Sequence, residues 1–183
     1  MQRNGKFTIA MAAVGCIALL GGSALHAKGE QDKYALKSAS GIPFSEWKGY
    51  EDWSVVSSAR TDDVLKVIVA NPTMIAAYKS GIPGNGKPFP DGSKIAKLQW
   101  SQKKSTEAPF VVDVPDAYKQ AFLMQRDSKR FAKSDGWGYA VFNYDPKAGI
   151  FAPDPTGVQD CGQSCHVKVK ESKDSIFHPY QMR

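Results

Sequence analysis

Cys161-Gly162-Gln163-Ser164-Cys165-His166, close to the end of a 183-residue chain, is the stretch whose residue types and spacing point most directly to chemistry. The spacing is C-x-x-C-H, which attaches a c-type haem. Two thiols add across the two vinyl groups of the porphyrin, and the adjacent imidazole becomes the proximal ligand of the iron. A redox dithiol or half of a zinc site would use the same C-x-x-C. Zinc needs two further ligands, and the third cysteine, Cys16, lies in a segment read below as removed. A thioredoxin-like dithiol would sit early in the chain, on a strand-to-helix turn. The spacing therefore predicts one haem c per chain, with Cys161 and Cys165 for attachment and His166 as the metal ligand.

The start of the chain sets the compartment. Arg3 and Lys6 precede an uncharged apolar run from Phe7 to Leu20, followed by small residues ending at Ala27. This is the layout of a secretory signal peptide at 1–27, and the run is too short for a membrane span. Cys16 after Val14-Gly15 faintly resembles a lipoprotein site, but the apolar run continues past it. Removing the leader takes the formal net charge from +6 to +4 and leaves two cysteines, both in the haem motif. No structural disulfide is then possible, and no membrane anchor remains in the mature form. Export to the periplasm fits a covalent haem. The mild basicity suits an acidic, soluble redox partner, and the aromatic stretches lack the basic interleaving of a nucleic-acid surface.

The segments that must position the motif read mostly as strands. Strand candidates are 53–58, the β-branched 64–70, 93–102, 110–114, 121–125 and the alternating 136–145. Asn71-Pro72 starts a helix, with Asn as cap and Pro at the first helical position. Residues 28–40 read as a loose arm, 43–47 as a short helix, 81–92 as a Gly- and Pro-rich loop, and 147–156 as a loop or edge strand. A terminal helix carries the haem motif. The fold class is α+β: an antiparallel sheet of about five strands with a few helices, in one domain at 28–183.

Only 17 residues follow His166, so the layout of small electron-transfer cytochromes, with an early motif and a late distal methionine, does not apply. The strands preceding the motif also disfavour a four-helix cytochrome c′. The order of Gly49-Tyr50-Glu51-Asp52-Trp53, Ala70-Asn71-Pro72, Lys87-Pro88-Phe89-Pro90-Asp91-Gly92, Gly136-Trp137-Gly138-Tyr139 and the terminal motif resembles the cytochrome P-460 family, whose domain is shared with the β-sheet cytochromes c′. The resemblance covers about 34–180. It implies a homodimer, a five-coordinate haem and small nitrogen ligands.

In the P-460 proteins proper, the resemblance implies a lysine cross-linked to the haem and oxidation of hydroxylamine. The β-sheet cytochromes c′ lack the cross-link and bind nitric oxide. Here the lysine would come from the strand after Gly92. Spacing to the motif favours Lys97, whereas pleat parity puts Lys94 with Ala96, Leu98 and Trp100. Catalytic members also place a carboxylate just before the motif to take protons. No glutamate stands there, and Asp154 is the substitute, with Asp160 read as a helix cap. Two functions are therefore expected: a haem oxidoreductase using Lys97 and Asp154, or a nitric-oxide-binding protein with an apolar open face, for which Phe89 and Trp100 are candidates. An electron carrier capped by His178 or Met182 is the third and weakest. Met74 and Met124 read as core.

Overall fold

The computed structural model describes residues 31–156 and 158–181. The expected leader at 1–27, Cys16 and Met182 lie outside the described residues, as do the side chains of Asp160 and Cys161.

Six strands follow one another as an antiparallel meander: β1 (Ser54–Thr61), β2 (Val64–Ala70), β3 (Lys94–Lys104), β4 (Asp113–Arg126), β5 (Trp137–Asp145) and β6 (Ile150–Pro153). The helices are α1 (Pro72–Lys79), α2 (Val158–His166) and α3 (Lys170–Lys173). This is the α+β class that the strand pattern predicts, with a sixth strand where the sequence reads as a loop or edge. The two expected segments 110–114 and 121–125 belong in part to a single strand, β4, which begins at Asp113. Pro115 breaks the alternation in the sequence, but it pairs with Gln102 where the β3–β4 register is irregular. An interrupted ladder is where a strand tolerates a residue without an N–H.

Period-two alternation sends the side chains to two layers. On one face Ile68, Ile95, Met124, Tyr139 and Val141 pack beneath Met74, Ile75 and Tyr78 of α1 and beneath Phe89 and Ile176. On the other, Ala96, Leu123, Ala140 and Phe142 are covered by Ile42, Phe44, Trp47 and Tyr50. Met74 is fully buried and Met124 nearly so, as a core role requires.

The arm expected to be loose is packed from Gln31 onward. Tyr34 and Leu36 join the second layer. The Gln31 side chain donates to the Phe151 carbonyl at 2.8 Å and accepts from the Phe151 N–H at 2.6 Å, so it occupies backbone positions on the open edge of β6. Polar composition concealed two apolar anchors and one strand mimic.

Asn71 connects the first helix to the strand that matters for the site. Its Oδ1 accepts from the N–H groups of Met74 (3.1 Å) and Lys94 (3.0 Å), and its Nδ2 donates to the Gly92 carbonyl at 2.8 Å. One side chain therefore caps α1 and fixes the first residue of β3, three positions before Lys97.

Candidate functional site

The C-terminal segment is held on the first face of the sheet by α2. Gln159 accepts from the Tyr139 N–H at 3.0 Å and donates to Ser134 Oγ at 2.9 Å, which locks the helix to β5. Gly162 permits the close approach. A Cβ there would stand 2.6 Å from Cγ and Cδ1 of Tyr139 and 2.9 Å from its Cβ. Tyr139 is itself buried and has no room to withdraw.

Beyond this contact a cleft of about 440 Å³ opens between the helix, the sheet and the chain that follows α3. Ile68, Ile95, Phe122, Met124, Ile176 and Phe177 make its walls largely apolar. The polar groups on the cleft are Thr61, Lys66, Lys97, Cys165, His166 and His178. A mostly apolar cavity with few convergent polar groups is the form of a cofactor site.

His166 is oriented. Its Nδ1 lies 2.6 Å from the Ser175 carbonyl oxygen. A carbonyl only accepts, so Nδ1 carries the proton and Nε2 keeps its lone pair. Burial is the main cause that lowers the imidazole pKa, with the Lys97 charge acting the same way. The ring is thereby held in the neutral form that binds a metal. Phe177 and Tyr139 pack against it at centroid distances of 4.6 and 5.3 Å. Ser175 is placed by Asp174, which accepts from the Phe89 N–H at 2.7 Å and from Arg126 Nη1 at 2.8 Å. Cys165 is an exposed free thiol on the cleft.

Lys97 enters the same cleft. Its Nζ stands 4.5 Å from the centroid of the Phe122 ring, its register partner on β4. Burial pushes its ammonium below the ordinary lysine range, with the Lys66 charge adding to the shift. Lys94 goes the other way. Its Nζ donates to the Glu46 carbonyl at 2.5 Å and lies over the Trp47 ring. The pleat does group Lys94 with Ala96 and Leu98, but that is the face away from the cleft.

Asp154 is not among the residues lining the cleft. Its carboxylate accepts from Asn143 Nδ2 at 2.9 Å, from the Thr156 N–H at 2.9 Å and from the Thr156 hydroxyl. These donors, Thr156 first, hold it below the usual carboxylate range. Asn143 belongs to a row of side-chain amides: Gln99 Nε2 donates to Gln120 Oε1 at 2.7 Å, and Gln120 Nε2 donates to Asn143 Oδ1 at 2.7 Å. The row continues in register to Lys66 and Ala59. Phe89 and Trp100 do not line the cleft either. Phe89 is buried under Tyr78 and Trp137, and Trp100 packs against Tyr118. The phenylalanines facing the cleft are Phe122, whose signal was its alternation with Met124, and Phe177. Lys66 and Ser175 gave no sequence signal, since one reads as a strand surface lysine and the other as a turn residue.

The donor set fits a c-type haem: an apolar slot, a thiol on its edge and a neutral imidazole with Nε2 free. A model of the cytochrome P-460 family matches residues 47–178, most of the chain and all of the sheet. No curated protein is a significant match to the chain.

Proposed function

Because the chain belongs to the cytochrome P-460 family, we propose that it is an exported mono-haem c-type cytochrome oxidising a small nitrogen compound, hydroxylamine or nitric oxide, at an open iron position. The observation that carries this reading is that Lys97 and His166 line one cleft. Cys161 and Cys165 would hold the haem through thioethers, and His166, whose Nδ1 is given to Ser175, would offer Nε2 to its iron. The bound haem supplies the coordination position for the nitrogen ligand and the route by which electrons leave it. Lys97 would supply the nitrogen of a cross-link, and burial lowers the pKa of its ammonium. His178, which burial and nearby lysines keep neutral, is the cleft side chain able to take protons from the substrate. The leader delivers the chain to the periplasm, where a soluble redox protein accepts the electrons and the chain works as a homodimer.

A specific observation favours a second reading, capture of nitric oxide without turnover. No carboxylate lines the cleft among the described residues, and Asp154 is engaged by Asn143 and Thr156. One experiment separates the two. Intact mass and the ferrous optical spectrum are recorded for wild type and Lys97→Leu, together with hydroxylamine turnover. The oxidase reading expects a covalent haem, an altered spectrum that reverts to the ordinary c type in the variant, and turnover lost with the cross-link. An ordinary spectrum and no turnover in wild type would leave nitric-oxide binding in its place.

A further inference from the structure

We propose that Lys66, with Thr61 beside it, is the anchor for the haem propionates. The proposal rests on the c-type haem reading above and concerns residues that the haem motif does not identify.

The cleft has a direction. The motif helix lies on β5, and the cleft then crosses Phe122 and Met124 of β4, Ile95 and Lys97 of β3, and Lys66 and Ile68 of β2, to reach Thr61 of β1. Four strand spacings separate β5 from β1, roughly 19 Å at the usual interval. In haem c the thioether substituents and the propionates occupy opposite edges of the macrocycle. Attachment at α2 therefore sends the two carboxylates toward the β1–β2 hairpin.

The hairpin is equipped to receive them. Lys66 Nζ donates to Thr61 Oγ1 at 2.6 Å. The ammonium keeps two more protons, and a hydroxyl that accepts from lysine has its own proton free to donate. Ala59, the register partner of Lys66, also lines the cleft and leaves space beside the ammonium. Thr61 is exposed and Lys66 half-buried, which places the pair at the mouth, where a carboxylate stays hydrated on one side.

Charge leads to the same residue. Lys66, Lys97 and His178 share a cleft without an acidic side chain among the described residues. The Lys66 charge contributes to lowering the pKa of both Lys97 and His178. A cation such as Lys66 beside an apolar wall is costly unless an anion joins it. Propionates bring the missing negative charge to the end where Lys66 stands, and the iron ligand need not be anionic.

The test uses the secreted holoprotein and does not depend on turnover. Resonance Raman spectra report the propionate bending bands, which respond to donors on those carboxylates, and redox titration over a range of pH locates the propionate ionisation linked to the iron. Lys66→Met should shift the bending band, move that ionisation to higher pH and lower the reduction potential. Lys66→Arg should keep all three near wild type. Thr61→Val should shift the band without altering net charge. An unmoved band and an unmoved ionisation in both Lys66→Met and Thr61→Val would overturn the proposal while the haem reading stands. A secreted chain without covalent haem would overturn both.

Discussion

Replacing Asp174 by alanine should destabilise the protein by about 3–4 kcal/mol, because it strands Arg126 in a nearly closed environment. The side chains of Arg126 and Asp174 are 12% and 15% exposed. Asp174 Oδ1 accepts from Arg126 Nη1 at 2.8 Å and Oδ2 from the Phe89 N–H at 2.7 Å. Burial raises the Asp174 carboxyl above its usual range even beside Arg126, which is the sign of a desolvation cost. Such a pair adds little to stability as a whole, yet removing one member costs about 3–5 kcal/mol. Arg126 Nη1 retains the Asp135 carbonyl at 2.9 Å, which moves the expectation toward the lower end. The lost acceptor for Phe89 adds about 1 kcal/mol. With a urea slope of about 1–3 kcal/mol/M, the unfolding midpoint should fall by roughly 1–4 M. Asp174→Asn, which keeps the shape and loses the charge, should fall between the two. A midpoint for Asp174→Ala corresponding to less than about 1 kcal/mol of destabilisation would show that Arg126 is satisfied without its partner and refute the argument.

Gly162→Ala should be destabilising although alanine is the better helix former by about 1 kcal/mol. The methyl group meets the root of the Tyr139 ring at 2.6 Å, and overpacking of this kind costs about 1–3 kcal/mol. Thermal unfolding of the variant checks the sign, and a raised midpoint would show that α2 can lift from β5. Asp154 has a folded-state pKa below its unfolded one. Its contribution is therefore fully present above the unfolded value of about 4 and is lost as pH falls through the lower folded value. Asp154→Asn should flatten the dependence of stability on pH below about pH 4, as read from urea midpoints between acid and neutral pH. A curve parallel to wild type would mean that Asn143 and Thr156 do not hold the ionised form.

Much of the scaffold was legible because local rules and tertiary packing agree. Asn71-Pro72 opens α1 with the capping bond that its residue types predict, and the aromatic alternation of β5 becomes its two buried faces. The reading failed where one long-range contact outweighs composition. Gln31 forms backbone-like bonds to Phe151 across 120 positions, and Pro115 is accommodated only because β3 is irregular opposite it. The motif residues stood out because C-x-x-C-H is a fixed spacing, and Cys165 and His166 do line the cleft. Which of Lys94 and Lys97 enters the cleft was not legible, since parity groups the residues of a strand without saying which group meets the helix. Asp154 lies beside the motif in sequence but at the far end of the amide row in space.

That row has a polarity, and Asp154 sets it. An ionised carboxylate can only accept, so Asn143 must present its NH2 to Asp154 and its oxygen to Gln120. Gln120 must then donate to Asn143 and accept from Gln99. Three amides that would be indifferent to being flipped are aligned head to tail, and aligned dipoles reinforce one another. The negative charge at the β6 edge is thus transmitted across the sheet as an orientation, ending at Gln99, the register partner of Lys66. With an amide in place of Asp154, the terminal group could donate as readily as accept, and the row would have no preferred sense.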